Sequence, residues 1–167
     1  MQSGNWVIEA DANNTNGLLI SSLGFVNNHE NYPTNNVRAV LSVLKLNGWI
    51  TIKLPEGKEI DHKLVEIEDD DDEFIKPHFE SCIKFINRNL PLGNVVVHCQ
   101  AGVSRSATIV IAYLMKTKRW PYLEARNYLR GKRSIIDPNE GFVEQRRHRQ
   151  ADEDDDATDG HADGADD

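Results

Sequence analysis

Five residues separate a cysteine from an arginine in His98-Cys99-Gln100-Ala101-Gly102-Val103-Ser104-Arg105-Ser106. A thiolate is a strong nucleophile, and a guanidinium binds two oxygens of one anion at once with a permanent charge. Placed at the two ends of a tight loop, they suit displacement at a bound phosphoryl group. The backbone amides of Gln100 to Arg105 can ring three phosphoryl oxygens, and Gly102 allows the turn that brings them inward. Ser106 places a hydroxyl where it can stabilise the sulfur as a leaving group. His98 lies beneath the loop and orients it through hydrogen bonds, because a buried imidazole needs partners. The oxygen leaving phosphorus needs a proton donor. The acidic run Asp69-Asp70-Asp71-Asp72, about 30 residues upstream, supplies candidates.

The surrounding residues say what positions this loop. Val95-Val96-Val97 is a β-branched run that reads as a buried strand. Ser106 to Met115 (S-A-T-I-V-I-A-Y-L-M) reads as an apolar helix. A strand, a tight loop and a helix N-terminus collect N–H groups around an anion, and the same dipoles favour a thiolate. Further strands are expected at Leu18-Leu19-Ile20, Val37 to Val43, Trp49 to Ile52 and Leu64 to Ile67. Residues 24–36 read as an irregular or partly helical connection. Ile75, Phe79, Ile83, Ile86 and Leu90 follow helical spacing, with the acidic run at that helix's N-terminus. Another helix is expected from Trp120-Pro121 to about Arg130, closed by Gly131, and a last one over roughly 140–149, capped by Asp137-Pro138-Asn139. Strands alternating with helices predict an α/β fold: a central, mainly parallel, twisted sheet flanked by helices on both faces.

Composition narrows the class. The chain has 167 residues and a formal net charge of −8. Residues 151–167 hold nine of the 27 acidic residues and no Lys or Arg, so residues 1–150 carry 18 acidic against 19 basic groups. The overall acidity therefore names no partner, and neither nucleic acid nor membrane is expected as one. The expected organisation is an N-terminal extension at 1–16, a catalytic domain at 17–150 and a disordered acidic tail at 151–167. That tail is either solvating or a dock for a basic partner. Two cysteines make neither a disulfide scaffold nor a zinc cluster, and no metal or cofactor is expected. Cys82 reads as a small core residue, with a redox partner for Cys99 as the sharper idea. No stretch is apolar enough for a membrane span, so a cytoplasmic location is expected, with the nucleus open through Arg146-Arg147-His148-Arg149.

His98 to Met115 resembles the signature of the dual-specificity protein phosphatases, within the cysteine-based protein tyrosine phosphatase superfamily. The resemblance runs from about Leu18 to Gln145 and is strongest from Leu64 onward. The family's general acid is followed six residues later by an aliphatic residue and ten later by Phe. Asp69, Ile75 and Phe79 fit that spacing, with Asp70 one residue out of register. Pro138-Asn139-Glu140-Gly141-Phe142-Val143-Glu144-Gln145 resembles the family's last-helix element, in which Asn139 would brace the loop. The resemblance implies a phosphatase of protein phosphotyrosine and phosphoserine or phosphothreonine. Cys99 would take the phosphoryl group while Asp69 protonates the leaving oxygen; water activated by Asp69 would then release phosphate. The absence of a rhodanese-like docking segment points to a small "atypical" member. Ser21 stands where the family usually has Gly, and the connection to Val37 is unusually Asn-rich. Both departures bear on the pocket rim. Relatives acting on phosphoinositides, phosphoglucans or RNA 5′ ends, and non-catalytic phosphopeptide binders, are the competing readings. The loop's uncharged Gln100, Ala101, Val103 and Ser104 favour phosphoprotein over the anionic polymers and lipids, and the presence of Cys99 favours an enzyme over a binder.

Overall fold

The computed structural model describes residues 4–10 and 16–145. The tail, the basic cluster 146–149 and the end of the helix expected over 140–149 lie outside the described residues. A five-stranded sheet runs in the order β1-β2-β5-β3-β4. Its strands are β1 (Asn5–Ile8), β2 (Leu18–Ser22), β3 (Val37–Val43), β4 (Asp61–Val65) and β5 (Asn94–Cys99). All pairings are parallel except β1 with β2. The strand that carries Cys99 is thus the middle one, and Cys99 stands at its C-terminal end. Every residue of β5 is buried, as a strand covered on both faces must be.

Alternation sorts the strand side chains onto two faces. Leu18, Ile20, Ala39, Leu41, Val43, Val95 and Val97 point into the larger core cluster. That face is covered by α3 (Phe79–Asn89), α4 (Arg105–Lys118) and α5 (Tyr122–Lys132), with Phe142 of the helical residues 140–145. Leu19, Val40 and Val96 point into the smaller one with Phe25, Val26 and Tyr32, which come from the short helices α1 (Leu23–Asn27) and α2 (Asn31–Thr34). Helices flank both faces as expected, but the long ones share one face. The short pair on the other face is the Asn-rich connection whose partial helicity was expected. Ile75, Phe79, Ile83 and Ile86 are all buried. Their helix opens through a 3₁₀ turn at Lys76–His78, because Pro77 is tolerated only in a first turn.

Four expectations change. Trp6-Val7-Ile8, within the residues expected to form an N-terminal extension, belong to the edge strand β1, so the sheet begins before residue 17. Val7 is fully buried and Tyr128 of α5 donates its hydroxyl to the Val7 carbonyl at 2.8 Å. The segment Trp49 to Ile52 is not a strand, and Trp49 is 96% exposed. The side chain of Asn27 substitutes for a neighbouring strand there: it donates to the Thr51 carbonyl and accepts from the Lys53 amide, at 2.9 and 2.8 Å. The strand expected at Leu64 to Ile67 starts earlier and ends at Val65, leaving Ile67 to Glu68 in the approach to Asp69. Gly131 does not close its helix, which continues to Lys132. The left-handed cap belongs instead to Arg119 (φ 55°), at the end of α4.

Cys82 is a core residue of α3, fully buried, and burial pushes its thiol up to about 11. It is held protonated at neutral pH, the opposite of what a thiol poised for exchange requires. No helix among the described residues is long and apolar enough to cross a membrane.

Candidate active site

The loop between β5 and α4 is held from outside by its carbonyls. The Cys99 carbonyl faces His98 Nδ1 at 3.1 Å. That of Gln100 accepts the Leu23 amide at 3.1 Å. Those of Ala101 and Gly102 accept Arg133 Nη2 and Nε at 3.2 and 2.8 Å. The Val103 carbonyl accepts the Asp137 amide at 2.9 Å, and the Ser104 carbonyl accepts both the amide and the hydroxyl of Thr108, each at 2.9 Å. All these peptide bonds are trans. In a planar trans peptide the next N–H points opposite to the carbonyl. Six carbonyls pulled outward therefore leave the amides of residues 100–105 turned the other way, as an anion ring requires.

The sulfur lies on the amide side. Gly102 N–H approaches Cys99 Sγ at 3.2 Å, and Ser106 Oγ lies 3.2 Å from the same atom. Cys99 is 1% exposed and Ser106 fully buried. The Gly102 amide and the Ser106 hydroxyl thus place two polar groups within hydrogen-bond reach of the sulfur. Gly102 makes the turn at φ 70°, and an added Cβ would sit 2.5 Å from the Ser21 carbonyl oxygen. We expect Gly102→Ala to lower stability by about 2 kcal/mol through left-handed strain and the clash. Affinity for orthovanadate should fall at least about tenfold as the ring opens. Urea unfolding and inhibitor titration check this, and an alanine variant that keeps vanadate affinity would show that the turn is dispensable.

Arg105 begins α4 and is 6% exposed. Its Nη1 donates to the Ile67 carbonyl at 3.1 Å, which fixes the guanidinium plane. Its Nε is buried without a hydrogen-bond partner and lies 4.0 Å from Asp69 Oδ2. The fork therefore has one anchored corner and open donors.

Of the four aspartates, Asp69 is the one bonded to the loop. Its Oδ1 accepts the Ser104 hydroxyl at 2.6 Å and Asn139 Nδ2 at 2.8 Å. Ser104 Oγ in turn accepts the Asn139 amide at 3.0 Å. With Oδ1 twice engaged, Oδ2 is the oxygen left to carry a proton. Asp70 Oδ1 instead accepts the Asp72 amide at 3.0 Å, a local turn. Asp71 lies against Gly141, whose missing side chain leaves room for the Asp71 carbonyl. Gln145 closes the arrangement: its Oε1 accepts the Ile75 and Lys76 amides at 2.9 and 3.1 Å, and its Nε2 donates to the Glu73 carbonyl at 2.8 Å. The last helix thus braces the acidic loop as well as the cysteine loop.

The structure brings together Cys99, Gln100 to Arg105, Ser106, His98, Asp69 and Asn139, and leaves Asp70 in its local turn and Cys82 in the core of α3. Missed were Arg133, which ties two loop carbonyls and also donates to Asn5 Oδ1 at 2.6 Å, and Ser42 and His62 behind His98. Arg133 is buried, which lowers its pKa, while the charge on Cys99 pulls the other way. Among the described residues no group of three His, Cys, Asp or Glu is placed to hold a metal.

A buried cysteine in a ring of amides, an arginine fork and a carboxyl held against the loop define a cysteine-dependent phosphoryl-handling site. The family model "Dual specificity phosphatase, catalytic domain" matches residues 25–150, and the chain belongs to this family. It is 33% identical over 130 residues to dual specificity protein phosphatase 1B of Arabidopsis thaliana, covering 77% of this chain and 75% of that one. It is 42% identical over 96 residues to a probable dual specificity protein phosphatase of Dictyostelium discoideum, covering 58% of this chain and 45% of that one. The chain thus spans less than half of the Dictyostelium relative's length. Among solved structures, the human tyrosine phosphatase-like serine/threonine/tyrosine-interacting protein superposes with a TM-score of 0.78 at 26% identity, over 90% of this chain and 97% of that one.

Proposed function

We propose that the protein hydrolyses phosphotyrosine and phosphoserine or phosphothreonine in protein substrates through a phosphocysteine intermediate. The observation that carries this reading is the position of Cys99 Sγ, in reach of the Gly102 amide and Ser106 hydroxyl, in a loop whose carbonyls are tied outward, with Arg105 and Asp69 beside it. The amides of residues 100–105 and the free donors of Arg105 bind the three non-bridging oxygens. The Cys99 thiolate attacks phosphorus; an S–P bond forms as the ester O–P bond breaks. Asp69 gives its proton from Oδ2 to the departing oxygen. Asp69, now a carboxylate, takes a proton from water as that water attacks phosphorus. The S–P bond breaks, Ser106 stabilises the returning thiolate, and phosphate leaves. His98 and Asn139 hold the loop and the acid in place.

Two features support a protein substrate. Gln100, Ala101, Val103 and Ser104 bring no positive charge to the loop, whereas phosphoinositide, phosphoglucan-bound or RNA 5′ polyanions are best held by extra cations. The acid is also part of a short loop with its carboxylate 37% exposed, which suits a shallow site open to aliphatic and aryl esters alike. The test is hydrolysis of an aryl phosphate in EDTA, followed by a panel of phosphotyrosine, phosphoserine and phosphothreonine peptides, phosphoinositide and RNA 5′-triphosphate. Turnover of both peptide classes above the non-protein substrates is expected. Preference for lipid or RNA would overturn the substrate assignment, and no turnover of any would make the site a binder.

A further inference from the structure

Behind the loop, on the face of the sheet that carries the short helices, three polar side chains form a line from β5 through β3 to β4. His98 Nε2 lies 2.6 Å from Ser42 Oγ, and Ser42 Oγ lies 2.9 Å from His62 Nε2. His98 and Ser42 are fully buried. The proton positions in this line follow from one another. A carbonyl only accepts, so His98 Nδ1, at 3.1 Å from the Cys99 oxygen, carries a hydrogen. Burial, with His62 nearby, lowers the His98 pKa to about 4, so the ring is neutral and its Nε2 has only a lone pair. Ser42 must therefore donate its single hydroxyl hydrogen to His98. That leaves Ser42 Oγ to accept, and His62 must donate from Nε2.

We propose that Ser42 and His62 are positioning residues of the active-site loop, setting the His98 tautomer that holds the Cys99 carbonyl outward. Cys99 C=O and Gln100 N–H share one peptide plane, so the direction of the carbonyl is also the direction of the first amide of the ring. With the other tautomer, His98 Nδ1 would turn a lone pair on the Cys99 oxygen, and the plane would lose its anchor. The charge state of His62 does not break the line, since the imidazole and the imidazolium can both donate from Nε2. The charged and titratable groups that act on it are Asp61 on its own strand and His98 beyond Ser42. The catalytic consequence rests on the phosphatase reading; the tautomer does not, and the two are tested separately.

Nitrogen-15 NMR of the imidazoles at neutral pH reads the tautomer without any turnover. The expected spectrum has His98 Nδ1 protonated and Nε2 bare in the wild type. Protonation on Nε2 instead overturns the proposal whatever the enzyme does. In Ser42→Ala the two His98 shifts should move toward averaged values, and kcat/KM for an aryl phosphate should fall about tenfold, as for a lost buried donor. Ser42→Thr, which keeps the hydroxyl, should restore both. His62→Phe should fall about threefold and His62→Gln, which keeps an N–H at the right reach, should recover. Folded Ser42→Ala with unchanged shifts and a rate within about twofold of wild type overturns the assignment. So does failure of a folded Ser42→Thr to restore what alanine lost. A wild type that shows the expected tautomer but hydrolyses no phosphate ester refutes the phosphatase reading and leaves the tautomer standing.

Discussion

Cys99→Ser is expected to remove turnover while leaving phosphate binding in place. A hydroxyl has the same two neighbours as the thiol, the Gly102 amide and the Ser106 hydroxyl. It is nevertheless a far weaker acid and a far weaker nucleophile than a thiol. With the nucleophile gone, kcat should fall about 10⁴-fold or more, the scale of losing a covalent catalyst. The oxyanion donors are untouched: the loop carbonyls stay tied by His98, Leu23, Arg133 and Asp137, and Arg105 keeps its anchor on Ile67. A phosphotyrosine peptide should therefore bind to the serine variant about as tightly as substrate binds to the wild type. Steady-state hydrolysis and direct titration of the same peptide measure the two halves. Residual kcat above about 1% of wild type would sink the nucleophile assignment. Loss of binding together with turnover would instead mean that serine disturbs the loop.

What could be read from residue order, and what could not, divides along sequence separation. The cysteine loop is legible because its parts are neighbours: Val95 to Val97, Gly102 and the apolar run after Arg105 each have a local pattern. Asp69 is legible because the same short stretch carries both the acid and the buried residues that place it, Ile75 and Phe79. The last-helix element is legible through Pro138 to Gln145. Arg133 shows no such pattern, because an arginine after a helix is usually solvated. Its role appears only when α5 brings it under Ala101 and Gly102. Ser42 interrupts an apolar strand without breaking it, and His62 stands on an edge strand 20 residues away. Only the order β5-β3-β4 lines them up behind His98. Trp49 to Ile52 has strand-like residues, but no strand edge is offered to it, and Asn27 satisfies its backbone instead. The N-terminal strand escaped notice for a related reason: four residues carry too little alternation to count. Its pairing depends on β2 and on Tyr128.

Asp69→Asn isolates the proton transfer. Asparagine keeps an oxygen at Oδ1, able to accept from Ser104 and Asn139 as the carboxyl does, and it replaces the oxygen that faces Arg105 with an amide that cannot give up a proton. Geometry is preserved and acid catalysis removed. The loss then depends on how much help the leaving group needs. For phosphoserine peptides, whose alkoxide is a poor leaving group, kcat/KM should fall by about 10³–10⁴, the upper range for general acid catalysis. For an aryl phosphate with an electron-poor ring, whose phenolate departs unaided, the fall should be no more than about tenfold. A plot of rate against leaving-group basicity should therefore steepen in the variant. Asp70→Asn is the control that separates neighbouring aspartates: its exposed carboxylate accepts the Asp72 amide in a local turn, so its rates should stay within about twofold. If Asp70→Asn steepens the plot and Asp69→Asn does not, the acid is one residue further along and its side chain must reach the site by a different loop conformation. If neither changes it, the donor lies outside the run altogether, and Ser104, bonded to both Asp69 and Asn139, is the residue to replace next.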